Sequence, residues 1–226
     1  YNFEKAQYFY PKNKDVKNKM DEAYWAAVVK VVVQPVRVNS SYYQLSNQYF
    51  QDQVSQFMRN YQQNRFVIFY SEQEANQQKI NPDQVLRLNF DDFIVGQTYV
   101  KERVEKVKRD SVVIGETRTK AKIYGTVTAT LSIFDKQVSS SGLLAMTIFD
   151  NQSQKVIRQQ RIPGTYIWQD SWASYRGDER ALTRQQLQMT RRREVAPPPP
   201  ATLFVEFTKP IYAQLVDEIS NFYSRY

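Results

Sequence analysis

Asp91 and Asp92 are the most conspicuous carboxylate pair in the sequence, and paired carboxylates are what acid–base hydrolysis or cation binding would need. They close a segment, Val85–Val95, that reads as a strand, where adjacent side chains point to opposite faces. The pair therefore reads as a strand end and not as a shared site. A second acidic pair, Asp178-Glu179, follows Gly177 and precedes a helical pattern, so a helix cap with a favourable dipole charge accounts for it. Arg176-Gly177-Asp178 spells an adhesion tripeptide, and the same cap explains its Asp. The two Asn-x-Ser phrases at Asn39 and Asn151 match a glycosylation pattern.

The other familiar chemistries lack their residues. The 226 residues include no Cys and no His, which removes thiol nucleophiles, thiolate and imidazole metal sites, and the Ser-His-Asp triad. Six glycines, none in a phosphate-cradling spacing, leave no nucleotide loop. The expectation is a protein with no enzymatic activity, no cofactor and no bound metal.

Binding residues are easier to find. Tyr166, Trp168, Trp172 and Tyr175 form a dense aromatic cluster, and Trp and Tyr anchor interfaces because they bury much area at little entropic cost. Trp168 falls at a strand end and reads as core; Trp172, Tyr175 and Arg176 fall in what reads as a loop over 166–180. Arg191, Arg192 and Arg193 can meet an acidic partner or complement a helix C-terminus. These six residues, Trp172, Tyr175, Arg176, Arg191, Arg192 and Arg193, are the expected partner-binding set. The net charge of +8 comes largely from the stretches 101–122 and 184–193. Those stretches are the basis of an alternative reading, a nucleic-acid or anionic-surface binder. Acidic residues interspersed through 101–122 and 176–194 favour a solvated face, so no nucleic acid is expected.

The elements that hold these residues read as follows. Residues 1–23 form a polar arm with Phe3, Tyr8 and Tyr10. Tyr24–Val38 (YWAAVVKVVVQPVRV) is a buried strand with an edge or bulge at Pro35. Leu45, Tyr49, Phe50, Val54, Phe57, Met58 and Tyr61 recur at helical spacing, followed by the strand Arg65–Tyr70 and a helical turn or short helix over Ser71–Gln78. Ala121–Phe134 alternates apolar and polar residues, the pattern of a strand with one wet face; Leu143–Phe149 and Lys155–Trp168 are further strands. Tyr99–Val113 fits a charged strand or a helix. A helix is expected over Glu179–Arg193, then a polyproline linker over 196–200, then a C-terminal helix capped by Thr208 with Pro210 in its first turn. The sum is an α+β domain: a mixed, largely antiparallel sheet with two or three helices on one face. It divides into an arm (1–23), a core (24–170) and a helical tail (171–226).

VVVQPVRVNSS, the helix QLSNQYFQDQVSQFMRNYQQN and the strand RFVIFYSEQEA resemble the opening of the CsgG/LpoB-type periplasmic lipoprotein domain. TVTATLSIFD and LLAMTIFDNQSQKVIRQQRIPGTY resemble its paired strands. The slot that holds a small-residue phrase in that family reads NPDQVLRLNFDDF here, and the segment 99–116 and the tail from Ser171 have no counterpart. WASYRGDERALT and the following RRREVAPPPPATLFVEFTKPIY are similar to lipoproteins of Bacteroidota-type envelopes. The resemblance implies a periplasmic, outer-membrane-anchored accessory or assembly subunit that binds other envelope proteins or copies of itself. The chain starts at Tyr1, which fits removal of a signal peptide and a lipid-modified cysteine, the expected route of membrane contact.

Overall fold

A computed structural model describes residues 14–226 together with Lys5 and Tyr8. Phe3 and Tyr10 of the expected arm lie outside the described residues. The described chain holds five α-helices, α1 (Lys14–Ala27), α2 (Gln44–Arg59), α3 (Glu72–Gln78), α4 (Arg184–Arg191) and α5 (Pro200–Tyr223). Its six strands are β1 (Val29–Val33), β2 (Arg37–Val38), β3 (Val67–Ser71), β4 (Gln84–Glu116), β5 (Lys122–Asp150) and β6 (Val156–Gly177). They form one sheet in the order β3-β1-β4-β5-β6, with β2 beside β4. β1 runs parallel to β3 and β4, in register Val31↔Phe69 and Val33↔Leu86. The turns joining β4, β5 and β6 are short, and only antiparallel neighbours can be connected that way. The α+β class, with a mixed and largely antiparallel sheet, follows from these pairings.

Two compact units divide the chain. The first comprises the described residues up to Phe93 with Ser141–Thr165 and Phe204–Tyr226; the second comprises Ile94–Ser140 and Tyr166–Leu203. β4, β5 and β6 each contribute to both.

In the first unit, Leu86, Leu88 and Phe90 alternate as fully buried residues along β4. Phe90 meets Phe50 of α2 at 5.4 Å and Phe204 and Phe207 of α5 at 5.6 and 6.4 Å between ring centroids. Each such ring is worth about 1.5–3 kcal/mol on burial. Pro35 lies between β1 and β2 because it cannot donate to the ladder; Gln51 Oε1 accepts from Val36 N–H and Asn47 Nδ2 donates to Val36 O instead. α3 begins in a capping box, Ser71 accepting from Glu74 N–H and Glu74 from Ser71 N–H. The Ser71 N–H, followed by its hydroxyl, holds the Glu74 carboxyl below its ordinary range.

Several elements differ from the sequence reading. Residues 14–27, expected as arm and strand, form α1, with Val16, Met20 and Tyr24 half-buried at four-residue spacing and the Tyr24 hydroxyl donating to Arg65 O at 2.9 Å. Two expected strands, Ala121–Phe134 and Leu143–Phe149, are one strand: the run between them stays in the sheet, with Val138 and Ser140 buried and the Ser140 hydroxyl accepting from Gly96 N–H at 3.0 Å. The C-terminal helix starts eight residues before Thr208. Pro200 opens it and Pro210 sits inside it, while the Thr208 hydroxyl donates back to Val205 O at 2.8 Å instead of capping. Asp178 caps a 3-10 turn over Glu179–Ala181, and Thr183 begins α4 with its own capping box.

Among the described residues, no helix is long and apolar enough to cross a membrane.

Candidate functional site

The second unit carries the expected binding residues. Its sheet consists of the later part of β4, the first part of β5 and the last part of β6. Strand alternation sends Val127, Ala129, Leu131 and Ile133 to one face, where they are buried. That face is covered from the tail: Ala181 packs with Val127 and Ala129, and Leu182, Leu187 and Met189 pack with Leu131, Ile133 and Ala173. The stretch 99–113 is strand, and in the second unit its edge away from β5 has no strand partner among the described residues. Tyr99, Val100 and Val104 are exposed there among Lys101, Glu102, Arg103 and Lys106.

Trp172 and Tyr175 lie on β6 and not on a loop, because the strand continues to Gly177. Trp172 is half-buried and stacked on Phe134, centroids 5.4 Å apart with rings 14° from parallel, so one of its faces is already occupied. Tyr175 is exposed; its hydroxyl donates to Glu179 Oε2 at 3.3 Å, and loss of solvation, then the Glu179 charge, raises its pKa.

The four arginines do not gather at one place. Arg176 lines a groove of about 430 Å³ with Lys106, Lys108, Thr128 and Thr130. Arg192 lines a separate cleft of about 560 Å³ with Tyr99, Lys101, Lys136 and Asp170. Arg191 and Arg193 are exposed beside it in sequence and line neither space.

The cleft has a buried anchor that the sequence did not suggest. Asp170, 4% exposed at its side chain, accepts from Arg192 Nη2 at 3.0 Å and from Val195 N–H at 2.9 Å. Lys136 donates to Glu194 Oε1 at 2.6 Å. These bonds strap residues 192–195 to β5 and β6. Nothing local marks Asp170; its partners are more than twenty residues away.

The groove is formed by strand geometry alone. Lys106 and Lys108 share a face of β4, as Thr128 and Thr130 do on β5. Asp178 N–H donates to Thr128 O at 3.0 Å, which sets Arg176 across from Thr130 on the antiparallel neighbour. Gly177 closes the floor: its φ is +124°, and a Cβ there would sit 2.6 Å from Thr128 O.

The acidic pairs behave structurally. Asp91 accepts from Asn89 Nδ2 at 2.9 Å and lies 3.9 Å from Arg161. Asp178 takes Arg180 through both its side chain and its N–H, which brings its carboxyl down to about 2. Among the described residues no cluster of three or more Asp or Glu is set to hold a metal ion.

No family model matches the chain, and no curated protein matches it. Two solved structures align over most of its length. One is a neuraminyllactose-binding hemagglutinin homologue from Helicobacter pylori, 12% identical, covering 86% of this chain and 84% of that one with a TM-score of 0.37. The other is the hypothetical protein CT253 from Chlamydia trachomatis, 11% identical, covering 86% of this chain and 97% of that one with a TM-score of 0.33.

Proposed function

We propose that this protein is a non-enzymatic accessory or assembly subunit of a bacterial cell envelope, working at the periplasmic side of the outer membrane by binding another envelope protein. The compartment rests on the resemblance to the CsgG/LpoB-type lipoprotein domain and to Bacteroidota-type envelope lipoproteins. The binding surface rests on one observation: the long β4 edge in the second unit, unpaired among the described residues, with Tyr99, Val100 and Val104 exposed along it. An unpaired edge offers a row of backbone donors and acceptors, and a partner strand can complete it. The alternating Lys, Glu and Arg side chains keep that edge from pairing indiscriminately.

Photo-crosslinking in envelopes tests this directly. A photoreactive residue at Val104 or Tyr175 captures a discrete partner under this reading, while one at Tyr49 in the first unit does not. Capture only from Tyr49, or none from either site in the second unit, overturns it. Light scattering of the purified chain separates the two modes: a ring-sized oligomer marks an assembly subunit, a monomer an accessory one.

A further inference from the structure

The groove on the second unit has the composition of an anion site. Lys106, Lys108 and Arg176 put three cations around about 430 Å³, and no carboxylate lines it. None of the three forms an ion pair among the described residues. That contrasts with the neighbouring cleft, where Lys136 and Arg192 are both neutralised. Asp110, on the same strand, does not line the groove and has its Oδ1 occupied by the Thr126 hydroxyl at 2.7 Å. Converging unpaired cations raise the local potential, and a ligand of opposite charge relieves their mutual repulsion.

We infer that the groove of Lys106, Lys108, Thr128, Thr130 and Arg176 binds a phosphomonoester-type oxyanion. A dianion matches three cations better than a carboxylate does. The guanidinium can take two oxygens side by side, the ammonium groups act as point charges, and the Thr128 and Thr130 hydroxyls supply neutral donors for a third oxygen. The volume exceeds that of a bare phosphate, so the group can arrive on a larger molecule. A lipid headgroup and a soluble phosphate share this chemistry. The site shares β4 with the exposed edge but is lined across β5 and β6 as well, and binding an oxyanion there goes beyond protein docking.

The test uses the whole chain and three probes: inorganic phosphate, phosphatidylcholine vesicles, and the same vesicles carrying phosphatidic acid. Phosphate is followed by titration calorimetry, vesicles by co-sedimentation, both at low and moderate salt. The groove variant is Lys108→Gln with Arg176→Gln. The control is Arg118→Gln with Lys122→Gln, which removes the same charge from exposed positions outside the groove. Binding by the wild type and the control, weakened about tenfold or more in the groove variant, is expected on the scale of lost charge-assisted hydrogen bonds. Response to inorganic phosphate assigns a soluble source; response to phosphatidic acid vesicles alone assigns a lipid headgroup. Equal weakening in both variants reduces the effect to net charge and overturns the site, as does no binding of any probe. Circular dichroism of both variants separates binding loss from unfolding.

Discussion

The Tyr223 hydroxyl donates to Gln84 Oε1 at 3.0 Å, joining the last turn of α5 to the first residue of β4. Gln84 Nε2 in turn donates to the Tyr226 hydroxyl, and Asn64 Nδ2 donates to the carbonyls of Tyr223 and Tyr226. The C-terminus of the first unit is thus fastened by a polar network, buried at Tyr223 and Gln84, whose members are drawn from three distant segments.

Tyr223→Phe leaves Gln84 Oε1 buried without its donor, and about 1–3 kcal/mol of stability is expected to go with it, read from the urea midpoint. The same residue shapes the alkaline limb. Burial raises the Tyr223 pKa strongly, so the unfolded state releases the proton first. Its contribution is intact below about pH 10 and declines as pH rises toward the folded value. Tyr223→Phe should flatten part of that decline in a pH series of unfolding midpoints.

Asp178 offers the opposite sign. The Arg180 side chain, followed by the Arg180 N–H, holds its carboxyl at about 2. Its contribution is present above about pH 4 and fades as pH falls toward 2. A carbon-detected NMR titration should place Asp178 near that value in the wild type, and Arg180→Gln should return it toward the ordinary carboxylate range. An unmoved titration in the variant would show that Arg180 is not the cause.

Asp170→Ala cuts the strap. Arg192 and Val195 N–H lose their acceptor together, at a cost of about 1–3 kcal/mol. The more specific consequence is proteolytic. Trypsin should cleave after Arg191, Arg192 or Arg193 several times faster than in the wild type, because the local opening free energy falls. Mass spectrometry of early digests reads the site.

Gly164→Ala tests the seat of α5 on β6. A Cβ at that position meets Ile211 Cγ1 and the carbonyl of Phe207, both on the helix. Backbone cannot give way as a side chain can, so overpacking of about 1–3 kcal/mol is expected as a lowered thermal midpoint. Gly115→Ala, where a Cβ would meet Ile123 Cδ1 at an ordinary 3.9 Å, should change little by comparison.

Local pattern settled the alternating strand over Val127–Ile133, the helix carrying Phe50, Val54 and Met58, and the helical segment over Ser71–Gln78, because each is written in a pattern that needs no distant partner. It also removed Cys and His chemistry outright. The stretch 99–113 was open between helix and strand, since its valines suit either period; pairing with β5 decided it. That decision created the groove, for Lys106 and Lys108 share a face only in a strand. Trp172 looked like a free loop aromatic until β6 ran through it and Phe134 stacked on it. Arg176 and Arg192 read as members of one partner-binding set, and the sheet sends them to different spaces. Asp170 and Gln84 carry no signal at all in the sequence, because their roles lie in partners 22 to 142 residues away. Residue types and spacing fix what each segment can do; which distant side chains meet, and therefore where charge is left unpaired, is decided only when the strands are laid side by side.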